Sequence, residues 1–151
     1  MRRLLPLLLL TACGADPQLP PTGKAAIEQW LAVKLYDAWA CEPAAHGPRN
    51  GSPHGATRIC SNGKLSGHTG ALYPAGAATV KELFNPDGSL VGRAVLRKLD
   101  ELPVEASWYF YEIFEGRIFA DGAGASACTG CHARAGTSGL PGKDFVFTQV
   151  D

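Results

Sequence analysis

The chain has 151 residues, enough for one domain with a core of its own. Apolar residues make up 46% and charged residues 19%, the balance of a globular rather than a disordered protein. The formal net charge is zero and no basic stripe interrupts the sequence, which argues against a nucleic-acid partner, while 18 Gly and 11 Pro favour many turns and short strands over a helical bundle.

Met1-Arg2-Arg3 is a short basic start, and Leu4 to Leu10 is an apolar run broken only by Pro6. A run this short cannot span a bilayer, which takes about 20 apolar residues. It reads as the core of an export signal. Leu10-Thr11-Ala12-Cys13 follows directly and resembles a lipobox, whose Cys is acylated and becomes the mature N-terminus. Two acyl chains hold a protein at a membrane, where one would be marginal. The expectation is therefore a signal peptide over 1–12, lipidation at Cys13, a tether over 13–21 and one domain over 22–151. The mature protein would be a lipid-anchored, exported protein facing the periplasm.

Thr22 to Ala40 predicts one long helix. Thr22 can cap it, and Ile27, Trp30, Leu31, Leu35, Ala38 and Trp39 recur at helical spacing as a core stripe. Residues 42–55 read as loop, 57–60 as a short strand and 61–75 as irregular. Ala77 to Phe84 and Leu90 to Leu99 predict an antiparallel hairpin across the Asn85-Pro86-Asp87-Gly88 turn. A turn over 102–105 leads to a third strand, Ala106 to Phe114, dense in aromatics. Residues 117–120 extend the sheet, 122–127 are small and flexible, and Lys143 to Val150 predicts a last strand. The fold class is α+β, an antiparallel sheet with one long N-terminal helix and a C-terminal segment that carries a cysteine pair.

That segment is Cys128-Thr129-Gly130-Cys131-His132, the C-x-x-C-H signature of a c-type haem. Two thiols at this spacing reach the two vinyl groups of one porphyrin, and the adjacent His becomes the axial ligand of the iron. Cys128 and Cys131 are thus read as covalent anchors of one haem c and His132 as its metal ligand. A redox C-x-x-C should open a helix after a parallel strand, and no βαβ pattern precedes this one. A zinc site would need further ligands close by. With Cys13, Cys128 and Cys131 assigned, Cys41 and Cys60 remain as an even pair in an oxidising compartment, which predicts a disulfide. Closing that loop stabilises by roughly 3 kcal/mol on a chain-entropy argument.

The sixth position of the iron decides the function. Met1 is the sole methionine and lies in the cleaved segment, so His/Met ligation is closed. His46, His54, His68, a Lys or no protein ligand remain. Each of these histidines sits in a Gly/Pro-rich loop, where a surface role is the ordinary one, so an open five-coordinate iron is favoured. Such an iron binds small molecules such as NO.

Three stretches resemble the cytochrome P-460 family. They are Tyr73-Pro74-Ala75-Gly76-Ala77-Ala78-Thr79-Val80-Lys81-Glu82-Leu83, the strand Trp108-Tyr109-Phe110, and Cys128-x-x-Cys131-His132 followed by Asp144-Phe145-Val146-Phe147-Thr148. The similarity runs from about Tyr73 to Thr148, roughly half of the chain. It implies a β-rich antiparallel fold. The family includes cytochrome P-460, which oxidises hydroxylamine, and cytochrome c′-beta, which binds NO at a five-coordinate haem. In cytochrome P-460 a strand Lys is bonded to a porphyrin meso carbon, and the matching position is Lys81. Strand alternation puts Lys81 on the face opposite Val80 and Glu82, where a Lys is costly unless engaged. Hydroxylamine-oxidising members carry a distal carboxylate shortly before the haem Cys. Here Ala123-Gly124-Ala125-Ser126-Ala127 has no acid, Asp121 is the nearest, and Ser126 offers only a weak distal contact. The expectation is therefore an NO-binding or related nitrogen-oxide-binding haem protein. A hydroxylamine oxidoreductase and a bis-His electron carrier are the alternatives. Family relatives are often dimers, which makes a homodimer a further expectation.

Overall fold

Alternating residues turn a strand into a two-sided element, and the sheet of this protein separates two cores on that rule. The computed structural model describes residues 18–49 and 51–151. The export signal, Cys13 and most of the expected tether lie outside the described residues. Six strands form one sheet: β1 (Ala40–Cys41), β2 (Ala56–Ser61), β3 (Ala78–Phe84), β4 (Leu90–Lys98), β5 (Trp108–Phe114) and β6 (Arg117–Ala123). They pair in chain order and every pair is antiparallel, so the sheet is a meander. The described residues also form two α-helices, α1 (Lys24–Val33) and α2 (Ser126–His132). The fold is α+β, as the sequence predicts.

On one face α1 packs Ile27, Trp30 and Leu31 onto Val80, Val95, Tyr109 and Tyr111. Helix α1 is ten residues long, shorter than the sequence predicts. It ends at Lys34, which adopts a left-handed conformation with φ 56° and ψ 37°. A 3-10 turn over Leu35–Ala38 follows, and Ala40–Cys41 becomes strand β1 instead of helix. The reason is tertiary. Tyr36 is fully buried and its hydroxyl donates to Glu82 Oε1 at 2.8 Å, and Cys41 lies directly across from Cys60 and is disulfide-bonded to it. A continued helix would carry both groups away from these partners. Leu35 and Ala38, expected in the core stripe, are exposed.

The start of α1 also differs from expectation. Thr22 does not cap it. The Lys24 amide donates to Asp121 Oδ2 on β6 at 3.1 Å, and the Gly23 amide donates to the Tyr109 hydroxyl at 2.7 Å. Tyr109 in turn hydrogen-bonds Asp121. A carboxylate from a distant strand does the work of a local cap and complements the helix dipole.

The opposite face holds a second core of Leu65, Tyr73, Ala77, Leu96, Trp108, Phe110 and Val146. The expected strand over Lys143 to Val150 is absent. Lys143 and Val146 exchange backbone hydrogen bonds at 2.9 and 2.8 Å in a tight turn. Asp144 and Phe145 both have positive φ, 42° and 66°. Gly142 is required here: a Cβ at this residue, φ 89°, would lie 2.1 Å from the Val146 carbonyl oxygen. A buried ion pair secures the turn. Lys98 Nζ lies 2.9 Å from Asp144 Oδ1, with both side chains essentially sealed from solvent. Asp144 also accepts from the Tyr73 amide at 2.8 Å and from Trp108 Nε1 at 3.2 Å.

Candidate functional site

A cleft, partly open to solvent, lies on the second face between the sheet and the segment that carries α2. Its floor follows from register. Ile59, Lys81, Ala94 and Glu112 are direct cross-strand neighbours on β2, β3, β4 and β5, so all four point the same way. Thr79, Leu96 and Phe110 form the next rung. The small Ala94 between Lys81 and Glu112 leaves the floor open. Val80 and Glu82 face α1, as strand alternation requires.

Helix α2 and the C-terminal turn close the cleft with Cys128, His132, Val146, Phe147 and Thr148. Cys128 and Cys131 sit one helical turn apart as free thiols. His132 Nδ1 donates to the Phe145 carbonyl oxygen at 2.6 Å. That bond fixes the ring and its tautomer and leaves Nε2 as the available lone pair. Phe110 and Phe147 flank the imidazole edge-on, each 5.6 Å away between ring centroids. Burial above all holds His132 neutral and brings its pKa to about 4; Lys81 and His54 act in the same direction, and the Phe145 carbonyl opposes them. Burial likewise lowers the pKa of Lys81, against the pull of Glu112.

The chemistry of the donor set tests three kinds of occupant. Burial, with the Glu112 carboxylate adding to it, pushes the Cys128 thiol up to about 11. A thiol held protonated is a poor redox nucleophile. No group of three or more His, Cys, Asp or Glu side chains poised to hold a metal ion exists among the described residues. A porphyrin asks for something else: two thiols on one helix, one neutral oriented imidazole and an apolar wall. The residues present fit that requirement.

The sequence-predicted residues divide as follows. Lys81, Cys128 and His132 line one cleft, and Cys131 is exposed beside it. Ser126 is exposed at the start of α2 and Asp121 serves α1 on the other face. Of the loop histidines, His54 lines the cleft, with Nδ1 3.5 Å from Glu112 Oε1. His46 engages Glu42, Arg49 and the Gly47 carbonyl, and His68 bonds the Leu72 carbonyl at 2.8 Å. Glu112 is the residue that sequence reasoning missed. The stretch before Cys128 carries no acid, but a carboxylate reaches the cleft from β5, on the same rung as Lys81 across Ala94. Its strand alternation with Phe110 was the available signal. No family model, no curated protein and no solved structure matches the chain. No helix of the described residues is long and apolar enough to cross a membrane.

Proposed function

We propose that this is an exported, lipid-anchored protein with one covalent haem c whose open iron binds NO or a related small nitrogen-oxide ligand. The observation that carries the reading is the His132 Nδ1 to Phe145 carbonyl bond at 2.6 Å beside the Cys128 thiol in one cleft. Cys128 and Cys131 would hold the porphyrin, His132 would ligate its iron through Nε2, and the apolar wall of Leu96, Phe110, Val146 and Phe147 would exclude charge. When bound, the haem supplies an iron site for a small ligand. The Cys41–Cys60 disulfide suits the oxidising compartment that haem attachment of this kind requires.

A second reading, hydroxylamine oxidation of the cytochrome P-460 kind, is favoured by Glu112. This carboxylate could accept a proton from a bound N–H or O–H, which the residues before Cys128 cannot. Lys81 on the cleft floor is the residue that would bond the porphyrin in that case.

Absorption spectroscopy on the purified protein tests both. Covalent haem by mass, lost in Cys128→Ser/Cys131→Ser, is expected, and its absence overturns the proposal. A high-spin ferric spectrum that responds to NO supports the open site, while a low-spin spectrum in both redox states refutes it. A strongly red-shifted ferrous Soret band that disappears in Lys81→Ala would establish the cross-link and favour the enzyme. Labelled palmitate should enter the wild type and not Cys13→Ala; equal labelling removes the lipid anchor from the reading.

A further inference from the structure

Two titratable side chains from distant parts of the chain meet at the cleft. Glu112 comes from the middle of β5, and His54 comes from the loop between β1 and β2. They stand 3.5 Å apart, Nδ1 to Oε1, with side-chain exposures of 14% and 18%. The loop is held there. The His54 amide donates to Ser52 Oγ at 3.3 Å, and the backbones of His46 and Thr57 bridge the two ends of the loop at 3.0 and 2.9 Å. His54 is thus set at the edge of the cleft, in touch with both its interior and solvent. The α1 side of the sheet, by contrast, keeps its carboxylate Glu82 in bonds to Tyr36 and Arg58.

We propose that Glu112 and His54 form a proton-exchange pair that takes a proton from a small acidic ligand in the cleft and delivers it to solvent. The inference rests on the haem reading above. Glu112 accepts the ligand proton on its carboxylate. His54 Nδ1 takes it from Glu112, and the imidazolium releases a proton to water from Nε2. The ligand leaves this exchange as its anion, and the pair returns to its starting charge with the ring tautomer reset through solvent. Lys81 from β3 and the neutral His132 from α2 are the titratable groups that face the pair, and Arg49 and Glu42 from the loop side act on Lys81. Lys81 stands on the same rung of the sheet as Glu112, across Ala94. Glu112 is the catalytic base of this step and His54 is a positioning residue that acts through it.

Hydrogen cyanide is the probe, because it is protonated at neutral pH and must give up its proton to bind ferric iron. Stopped-flow binding to the haem-loaded ferric protein is followed from pH 5 to 8. Wild type is expected to bind with a rate that falls as the pair becomes protonated. Glu112→Gln should slow binding at neutral pH by roughly 10²–10⁴-fold, the usual worth of a positioned base. Glu112→Asp should recover part of the rate. His54→Gln should retain the rate at the high end and move the pH at which it falls, which a merely structural role would not do. Rates and profiles equal to wild type in Glu112→Gln and His54→Gln overturn the pair while leaving the haem reading intact. A low-spin ferric spectrum that His54→Gln converts to high-spin overturns it by making His54 a ligand. A wild-type protein without covalent haem overturns both.

Discussion

Asp144→Asn is the most informative single change for stability. Asn keeps the shape of the side chain, and it is among the residues that tolerate a left-handed backbone, so the φ of 42° at this residue adds no new strain. What is lost is charge. Lys98 Nζ is fully buried and has three oxygen partners: Asp144 Oδ1 at 2.9 Å, Ser107 Oγ at 3.0 Å and the Leu102 carbonyl at 3.0 Å. With Asn, the ammonium keeps two neutral acceptors and no counter-charge. Asp144 also takes Tyr73 N and Trp108 Nε1, so an Asn amide must either turn its NH2 toward one of these donors or lose a bond. Breaking a buried pair from one side costs about 3–5 kcal/mol. At about 2–4 °C per kcal/mol for a chain of this size, Tm should fall by about 6–20 °C. Urea unfolding followed by far-UV circular dichroism, with the disulfide intact, measures it as a lower midpoint at constant slope. The double variant Lys98→Met/Asp144→Asn should recover much of the loss, because it removes the buried ammonium that Asn alone leaves without a counter-charge. A loss under about 1 kcal/mol in Asp144→Asn would refute the claim that the pair holds the turn. That turn carries the Phe145 carbonyl, so the same variant is expected to loosen the His132 ring that the carbonyl holds.

Three further outcomes follow from the same structure. Tyr36, Tyr73 and Tyr109 are buried and their pKa values rise from 10 to about 12, chiefly by burial, and Tyr111 is pushed up further by burial and Glu28. The native state therefore keeps its phenols neutral; below pH 10 both states are protonated, and stability falls as pH rises from 10 to 12 because the unfolded chain ionises first. Phenolate absorbance should appear together with loss of the fold, and smooth ionisation near pH 10 in a folded protein would contradict the burial argument. Cys60→Ser should cost about 2–5 kcal/mol relative to the oxidised wild type, read as a lower urea midpoint that added reductant no longer changes. Gly142→Ala should destabilise by at least about 1–3 kcal/mol, because both its positive φ and the Val146 carbonyl oppose a Cβ; wild-type thermal stability would show that the turn is not needed as built.

Much of the site was legible in the residues alone. Alternation along Thr79-Val80-Lys81-Glu82 told which side chains share a face, and the hairpin turn at Asn85 to Gly88 told where the chain doubles back. The spacing of Cys128, Cys131 and His132 put two thiols and an imidazole on one short helix, and cysteine arithmetic paired Cys41 with Cys60, as the structure has it. These are local patterns, and local sterics or short-range bonding set them.

Tertiary structure decided the remainder. Period alone gives a face but not a rung, so only the strand register brings Glu112 opposite Ala94 and onto the same rung as Lys81. Helix α1 stops at Lys34, although the apolar stripe continues, because Tyr36 and Cys41 gain more from Glu82 and Cys60 than from another helical turn. The stretch over 143–150 reads as a strand by composition, yet Asp144 folds back to meet the buried Lys98, a charge whose burial no local window records. The sequence by itself determined which groups could do chemistry. The pairing of strands and the burial of one ion pair decided which of them stand in the same cleft, because both depend on contacts between residues far apart in the chain.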